Sequence, residues 1–362
     1  MARQKLLILI SDLSGGGTER VVSELLHRFS RTAFDMRLAV WREIFDYQVP
    51  GDIPVTVIPK HKPWHAPRVI RQTATLIDNW RPDVIFSAMY YTGMLTGTAL
   101  GFCRHRPRWV CRLGSPVYRD VNGLRRRWAQ WALKRADAVI GNSDEVCRSA
   151  TAYLNIPEER TVCIPNPLDV DSIRRNASEP LPFARPENRA VFVHMGRLSH
   201  EKRQDLLLQS FAQMDNPDAE LWILGQGPLK HRLEAMSHRL GIADRLRWLG
   251  FQPNPYPFLK AADAFVLCSG WEGMPNVLLE AIACRTPVIT TDCFASAHAL
   301  TGRAGTVIPN DDTDALQAAM LRVRNDRAWV DELIAGCRNY DFSLFNPDVI
   351  TEQYETLFQY VL

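Results

Sequence analysis

The sequence predicts an α/β protein with two parallel-sheet domains, and three observations carry that reading. Short apolar runs alternate with segments of helical period along most of the chain. The alternation breaks once, over residues 171–189, a stretch rich in Pro, Arg, Asn and Ser, and then restarts. At 362 residues the chain is also longer than one ordinary core spans.

In the first half, residues 5–10, 36–41, 55–58, 84–87, 109–113, 138–141 and 162–164 are short runs of the kind that form strands buried on both faces. The clearest helix between them is 18–29, with Val21, Val22, Leu25, Leu26 and Phe29 on one face. In the second half the strands are 191–195, 221–224, 246–248, 264–268, 287–290 and 306–308. Parallel βα units place ligands at the carboxyl ends of strands. The segment 171–189 reads as the interdomain linker. After Phe342 and Phe345, Pro347 opens a last helix with Ile350, Tyr354, Leu357, Phe358 and Val361 at helical spacing.

Composition fits a soluble globular enzyme, with 46% hydrophobic and 23% charged residues. No apolar run is long enough to span a membrane. The apolar residues 6–10 read as a first strand and not as a signal peptide. The eight cysteines show no CxxC pair and read as reduced core residues, which fits a cytoplasmic protein. Charge is divided: up to Val170 there are 24 Lys and Arg against 16 Asp and Glu, a net +8, and from Asp171 onward 19 against 24, a net −5. A basic first half fits an anionic ligand or surface on that side, or simply a solvated basic face.

The most informative stretch is Glu272-Gly273-Met274-Pro275-Asn276-Val277-Leu278-Leu279-Glu280. Glu280 lies in an apolar run where an unpaired carboxylate would cost on the order of several kcal/mol, so hydroxyls of a ligand or an Arg must meet it. Glu272 precedes a Gly- and Pro-bearing turn, and a helix begins at Asn276. This pair of acids resembles the double-glutamate motif of the retaining glycosyltransferases of family 4, among them bacterial cell-envelope polysaccharide enzymes. The resemblance implies the GT-B fold, two Rossmann-like parallel-sheet domains facing a central cleft. It sets the N-terminal acceptor-side domain at 1–170 plus 345–362, its last helix crossing back, and the nucleotide-sugar domain at 171–344. It also implies that Glu272 reaches the transferred sugar and Glu280 the ribose, with Asn276 and Val277 at the helix start beside them.

Three further features stand in the order this family requires. Gly196-Arg197-Leu198-Ser199-His200-Glu201-Lys202 follows the strand 191–195 and precedes a helix expected over 203–212. Two cations and a helix N-terminus make a diphosphate site, Arg197 binding through paired donors and Lys202 as a point charge. Leu224-Gly225-Gln226-Gly227-Pro228 resembles the family's GxGP turn and shapes the site, although a plain βα turn explains it nearly as well. Leu249-Gly250-Phe251-Gln252 lies where relatives seat the base; Phe251 fits that place or the core. Ser14-Gly15-Gly16-Gly17-Thr18-Glu19-Arg20 resembles the family's N-terminal loop, with Gly16 and Gly17 facing donor phosphates and acceptor. A dinucleotide fingerprint is disfavoured there, because the spacing is not GxGxxG and the second strand ends in Val40-Trp41 without the ribose-binding acid.

Many relatives carry a His after the fifth strand, read here as ending at Cys111. This chain has Cys111-Arg112-Leu113-Gly114-Ser115 instead, so the resemblance passes that role to Arg112 or Ser115. Asn166 matches the family's PN turn, or is a turn-forming Asn between prolines. No metal or other cofactor is demanded: Asp169-Val170-Asp171 and Asp312-Thr313-Asp314 have a DxD form, but one follows the PN turn and the other begins a helix, where Asp is a routine cap.

The function implied is retaining, metal-independent transfer of a hexose or N-acetylhexosamine from a nucleotide sugar, UDP favoured, to a lipid-linked saccharide. A GDP-mannose-dependent mannosyltransferase and a noncatalytic sugar-nucleotide binder are the alternatives; a glycosidase, also built on two carboxylates, would not need a cationic turn beside a ribose pocket. The run 124–135 is helical in period, basic and aromatic, with Trp128 and Trp131, and the loop 60–68 adds Lys, Trp and Arg. Such mixtures rest on anionic lipid at the inner face of a plasma membrane, or cover a sheet with solvated arginines. No nucleic-acid-binding module is recognisable.

Overall fold

Apolar runs buried on both faces make β1 (Gln4–Ile10) the centre of the first sheet: Leu6, Ile8 and Ile10 face one layer of helices, Leu7 and Leu9 the other. In this computed structural model, residues 3–60, 62–119, 121–215 and 217–360 are described. They divide into two units, 1–167 with 344–362, and 168–343.

The first unit continues through α1 (Gly17–Arg28), β2 (Phe34–Val40), β3 (Val55–Val57), α2 (Ala66–Trp80), β4 (Val84–Ala88), α3 (Tyr90–Leu100), β5 (Arg108–Leu113), α4 (Gly123–Leu133), β6 (Ala138–Gly141), α5 (Asp144–Leu154) and β7 (Thr161–Cys163). Its strands are all parallel, in the order β3-β2-β1-β4-β5-β6-β7. Val21, Leu25 and Phe29 cover one face; Val69 and Ile77 of α2, Met94 of α3 and Ala129 of α4 cover the other.

The second unit runs through α6 (Val170–Asn176), β8 (Ala190–Met195), α7 (Gln204–Gln213), β9 (Ala219–Leu224), α8 (Lys230–Arg239), β10 (Leu246–Gly250), α9 (Tyr256–Ala261), β11 (Ala264–Leu267), α10 (Asn276–Ala283), β12 (Val288–Thr291), α11 (Ala297–Thr301), β13 (Gly305–Ile308), α12 (Thr313–Asn325) and α13 (Arg327–Arg338). Its parallel sheet has the order β10-β9-β8-β11-β12-β13. Two Rossmann-like units of this kind are the GT-B architecture the motifs imply. The last helix, α14 (Pro347–Tyr360), belongs to the first unit. There Tyr354 and Phe358 pack on Phe86 at 5.5 and 5.6 Å between ring centroids, and Phe358 lies 5.6 Å from Phe29. Val361, read with this helix, lies outside the described residues.

Four expectations need correction. The segment 171–189 is not a free linker. Its first turns form α6, whose cap Asp169 accepts a 2.8 Å bond from the Ser172 N–H, and Ile173 is buried. Further on, Phe183 packs edge-on to Trp222 at 5.2 Å and Arg185 pairs with Asp263 at 2.6 Å. A seven-residue helix with one buried apolar side chain is too short to show a period. The helix expected at Arg203 begins at Gln204, after a 3-10 turn over His200–Lys202, because Arg203 takes a left-handed conformation with φ +49°. The fifth strand runs to Leu113, as the apolar run 109–113 predicts, and not only to Cys111, the end taken when the family's His was placed, so Arg112 lies inside it. Finally, Cys163 is exposed and Cys147 half-buried, so these two are not core; the six others are buried, and all eight are free thiols.

Candidate active site

Strand β8 ends at Met195, and the turn that follows is held by a chain of bonds starting one residue earlier. His194 is fully buried, and its Nδ1 lies 2.9 Å from the Val266 carbonyl, an acceptor only, so Nδ1 carries the proton. Its Nε2 then accepts from Gln204 Nε2 at 3.1 Å, and the same amide donates to the Arg197 carbonyl at 2.8 Å. Burial above all, helped by the Lys202 charge, pushes the imidazole pKa down to about 4, so it is neutral. Sequence reading missed His194 and Gln204. A His at the end of an apolar strand, ten residues before a Gln that opens a helix, was the available signal.

The glycines set how close the turns approach one another. Gly225 has φ +129°, and a side chain on it would strike the Gly196 carbonyl; one on Gly227 would strike the Leu198 carbonyl. Backbone bonds join the same loops: Gly196 N–H to the Leu224 carbonyl at 3.0 Å, Leu198 N–H to Gln226 at 2.9 Å, and Gly225 N–H to Gly250 at 2.7 Å. Three strand ends are thereby fixed as one rim. Phe251, just past β10, is 37% exposed, which excludes the core reading.

On this rim Lys202 Nζ donates to Glu272 Oε1 at 2.5 Å, and the fully buried Ser269 donates to the same oxygen at 2.7 Å. The Glu272 N–H donates to the Cys293 carbonyl at 3.3 Å, tying the loop after β11 to the end of β12. Burial alone would lower the Lys202 pKa, but the Glu272 carboxylate outweighs it and holds the pKa above the ordinary value. Arg197 is exposed, and its guanidinium makes no hydrogen bond or ion pair to a described residue. Glu280, in the middle of α10, is 2% exposed, while Asn276 and Val277 in the first turn are half-buried. Asp169 and Asp312, the first acids of the two DxD sequences, both accept helix N-terminal amides, at 2.8 and 2.9 Å.

In the first unit, Gly16 is the N-cap of α1 and Gly17 its first residue; a side chain on Gly17 would meet open space. The loop is anchored by Asp12, which is fully buried and accepts from the Ser14 N–H and hydroxyl and from Arg42 at 2.5 Å. Burial works to raise the Asp12 pKa, but these donors outweigh it and lower it. Glu19 folds back over Gly16, and burial pushes its pKa up to about 7. Arg112 is 0% exposed and bonded through all three nitrogens: Nε donates to Tyr354 at 3.1 Å, one Nη to Thr18 at 3.4 Å, the other to Asn166. The guanidinium thus joins α1, α14 and the PN turn within the first unit.

Two family models between them match most of the chain: Glycosyltransferase Family 4 over residues 15–172 and Glycosyl transferases group 1 over residues 178–340. The chain belongs to this glycosyltransferase family. It is 34% identical over 165 residues to an uncharacterised glycosyltransferase of Methanocaldococcus jannaschii, covering 44% of this chain but only 41% of that protein. It is 28% identical over 313 residues to the N-acetylgalactosamine-N,N'-diacetylbacillosaminyl-diphospho-undecaprenol 4-alpha-N-acetylgalactosaminyltransferase of Campylobacter jejuni, covering 83% of this chain and 84% of that one. Among solved structures, Anabaena HepE in complex with UDP and glucose superposes with TM-score 0.81 at 18% identity, over 99% of this chain and 100% of that chain, a likeness of fold.

Proposed function

We infer that the chain transfers a hexose or N-acetylhexosamine from a nucleotide sugar, UDP being the favoured carrier, to a lipid-linked saccharide with retention of anomeric configuration. The observation that carries this reading is the Lys202–Glu272 pair beside an unengaged Arg197 at strand carboxyl ends, in a member of a glycosyltransferase family. Arg197 and Lys202 receive the diphosphate, Glu280 the ribose, Phe251 and its neighbours the base. As the anomeric bond breaks, negative charge grows on the departing phosphate, and cations already fixed there stabilise the transition state more than the ground state. Glu272, oriented by Ser269 and Lys202, faces the sugar. Retention comes from the family resemblance.

The transfer is read as metal-independent, because the two cations supply the neutralisation and the first acid of each DxD sequence is spent on a helix end. UDP and a lipid-linked acceptor are supported by the bound UDP of the HepE structure and by the name of the Campylobacter relative. Peripheral contact with anionic membrane is supported by α4, where Leu124 is 82% and Trp131 47% exposed among exposed Arg125, Arg127, Lys134 and Arg135. Trp128, by contrast, is half-buried and donates to Thr98 at 2.9 Å. No described helix is long and apolar enough to cross a membrane.

The test is proton NMR of the purified chain with UDP-glucose, UDP-N-acetylglucosamine, UDP-N-acetylgalactosamine or GDP-mannose and short-chain lipid-linked saccharides as acceptors. A new α-glycoside from one UDP sugar is expected. A β-product, transfer from GDP-mannose alone, or release of free sugar phosphate would each overturn part of the reading.

A further inference from the structure

On the first unit, a groove of about 810 Å³ runs between α2 and the edge strand β3, within the size range of small-ligand sites. Arg37, Arg68 and Arg71 line it, together with Thr56, Thr75 and Asn79, and no carboxylate does. None of the three arginines forms an ion pair with a described residue. Its floor is Trp80, with the Arg37 guanidinium 4.9 Å from the ring centroid, and Lys5 lies 5.9 Å from the same ring.

Arg37 stands where an apolar residue belongs. It is in register with the fully buried Leu7 of β1, on the sheet face that α2 covers with Val69 and Ile77. Its Nε is buried without a hydrogen-bond partner among the described residues, and so is Gln72 Oε1 in the same groove. An orphaned guanidinium donor, two more guanidinium groups and no acid make an arrangement of like charges that lacks its counter-ion. From Arg68 in the first turn to Trp80 in the last, α2 spans about 18 Å, enough for an anionic head and an apolar or sugar portion laid along Trp80 and Leu76.

We propose that this groove binds a phosphate or diphosphate ester, its anionic oxygens on Arg37, Arg68 and Arg71 and its organic part over Trp80. The ester is either soluble or the head of a lipid, since both present the same oxygens. The site is independent of the donor chemistry assigned to the second unit.

The test is calorimetric titration of the full chain with inorganic pyrophosphate in an Arg197→Gln/Lys202→Met background, which removes the donor-side cations and leaves the groove intact. One binding event is expected to persist there, and adding Arg68→Gln/Arg71→Gln, both exposed on α2, weakens it by about tenfold or more. Arg37→Gln gives a similar loss with the melting temperature kept. Farnesyl diphosphate separates the two sources: tighter binding than pyrophosphate, lost in the same variants, assigns a lipid-linked ester, and equal or weaker binding a soluble one. Pyrophosphate binding that vanishes in the Arg197/Lys202 background, or survives the loss of Arg68 and Arg71, overturns the proposal. Binding confined to phosphatidylglycerol-containing vesicles and indifferent to Arg37→Gln overturns it too, since that is diffuse surface charge. UDP binding, measured on the unaltered chain, reports the donor site separately.

Discussion

Lys202 and Glu272, seventy residues apart in sequence, meet at 2.5 Å at the carboxyl ends of β8 and β11. The partner that holds Lys202 charged is the carboxylate assigned to the transferred sugar, so the proposed function gives donor phosphate and donor sugar to one coupled pair. Glu272→Gln keeps the hydrogen bond from Ser269 while removing the charge. It is expected to lower turnover by about 10² to 10³ while nucleotide affinity changes little, read from single-turnover rates beside calorimetric affinity.

In the proposed site Glu280 holds the ribose, which assigns it to binding and not to the chemical step. Glu280→Gln is expected to weaken nucleotide binding by about tenfold to a hundredfold, the worth of hydrogen bonds to a charged group. Saturating donor then restores most of the turnover; a variant that binds normally but turns over slowly would reverse the roles of the two glutamates.

His194 predicts a pH dependence of stability. Its folded pKa of about 4 lies below the ordinary value of 6.5, so between these values the unfolded chain binds a proton that the folded one refuses. Stability is therefore full above about 6.5 and falls as pH drops towards 4, by about 3 kcal/mol over the whole window. Urea unfolding at pH 7 and pH 5 should show a larger loss for the parent chain than for His194→Gln.

Gly225→Ala should destabilise the second unit by about 1–3 kcal/mol, from left-handed strain plus collision with the Gly196 carbonyl. Gly17→Ala, facing open space, should leave the melting temperature unchanged. Equal effects at both positions would contradict the close approach of the two loops.

Arg112→Met tests the positioning role. The substitution removes the Arg112 bonds to the buried Asn166 and Tyr354, and thermal unfolding should reveal about 1–3 kcal/mol of destabilisation. Donor affinity is expected to be kept, an outcome a sugar-binding Arg112 would not give.

The strands were legible because each is a short apolar run buried on both faces, β1 most plainly. The motif glycines were legible too, because close backbone approach permits no other residue at Gly225 and Gly227. What stayed hidden depends on neighbours distant in sequence. Nothing local to Arg112 announces Tyr354, 242 residues away, and nothing local to His194 announces the Val266 carbonyl. The single buried Ile173 gave α6 no period, and the left-handed Arg203 gave no sign of the 3-10 turn before α7. The groove beside α2 was concealed for a related reason: Arg37 in an apolar strand looks like an ordinary edge residue until its register with Leu7 is known.

The most direct measurement is calorimetric titration of the full chain with UDP and with GDP in one metal-free buffer, repeated on Glu280→Gln. Saturable binding of UDP, weaker for GDP and weakened by the substitution, is the predicted result. A folded protein that binds neither nucleotide would contradict the assignment of Arg197, Lys202, Glu272 and Glu280 as a sugar-nucleotide site.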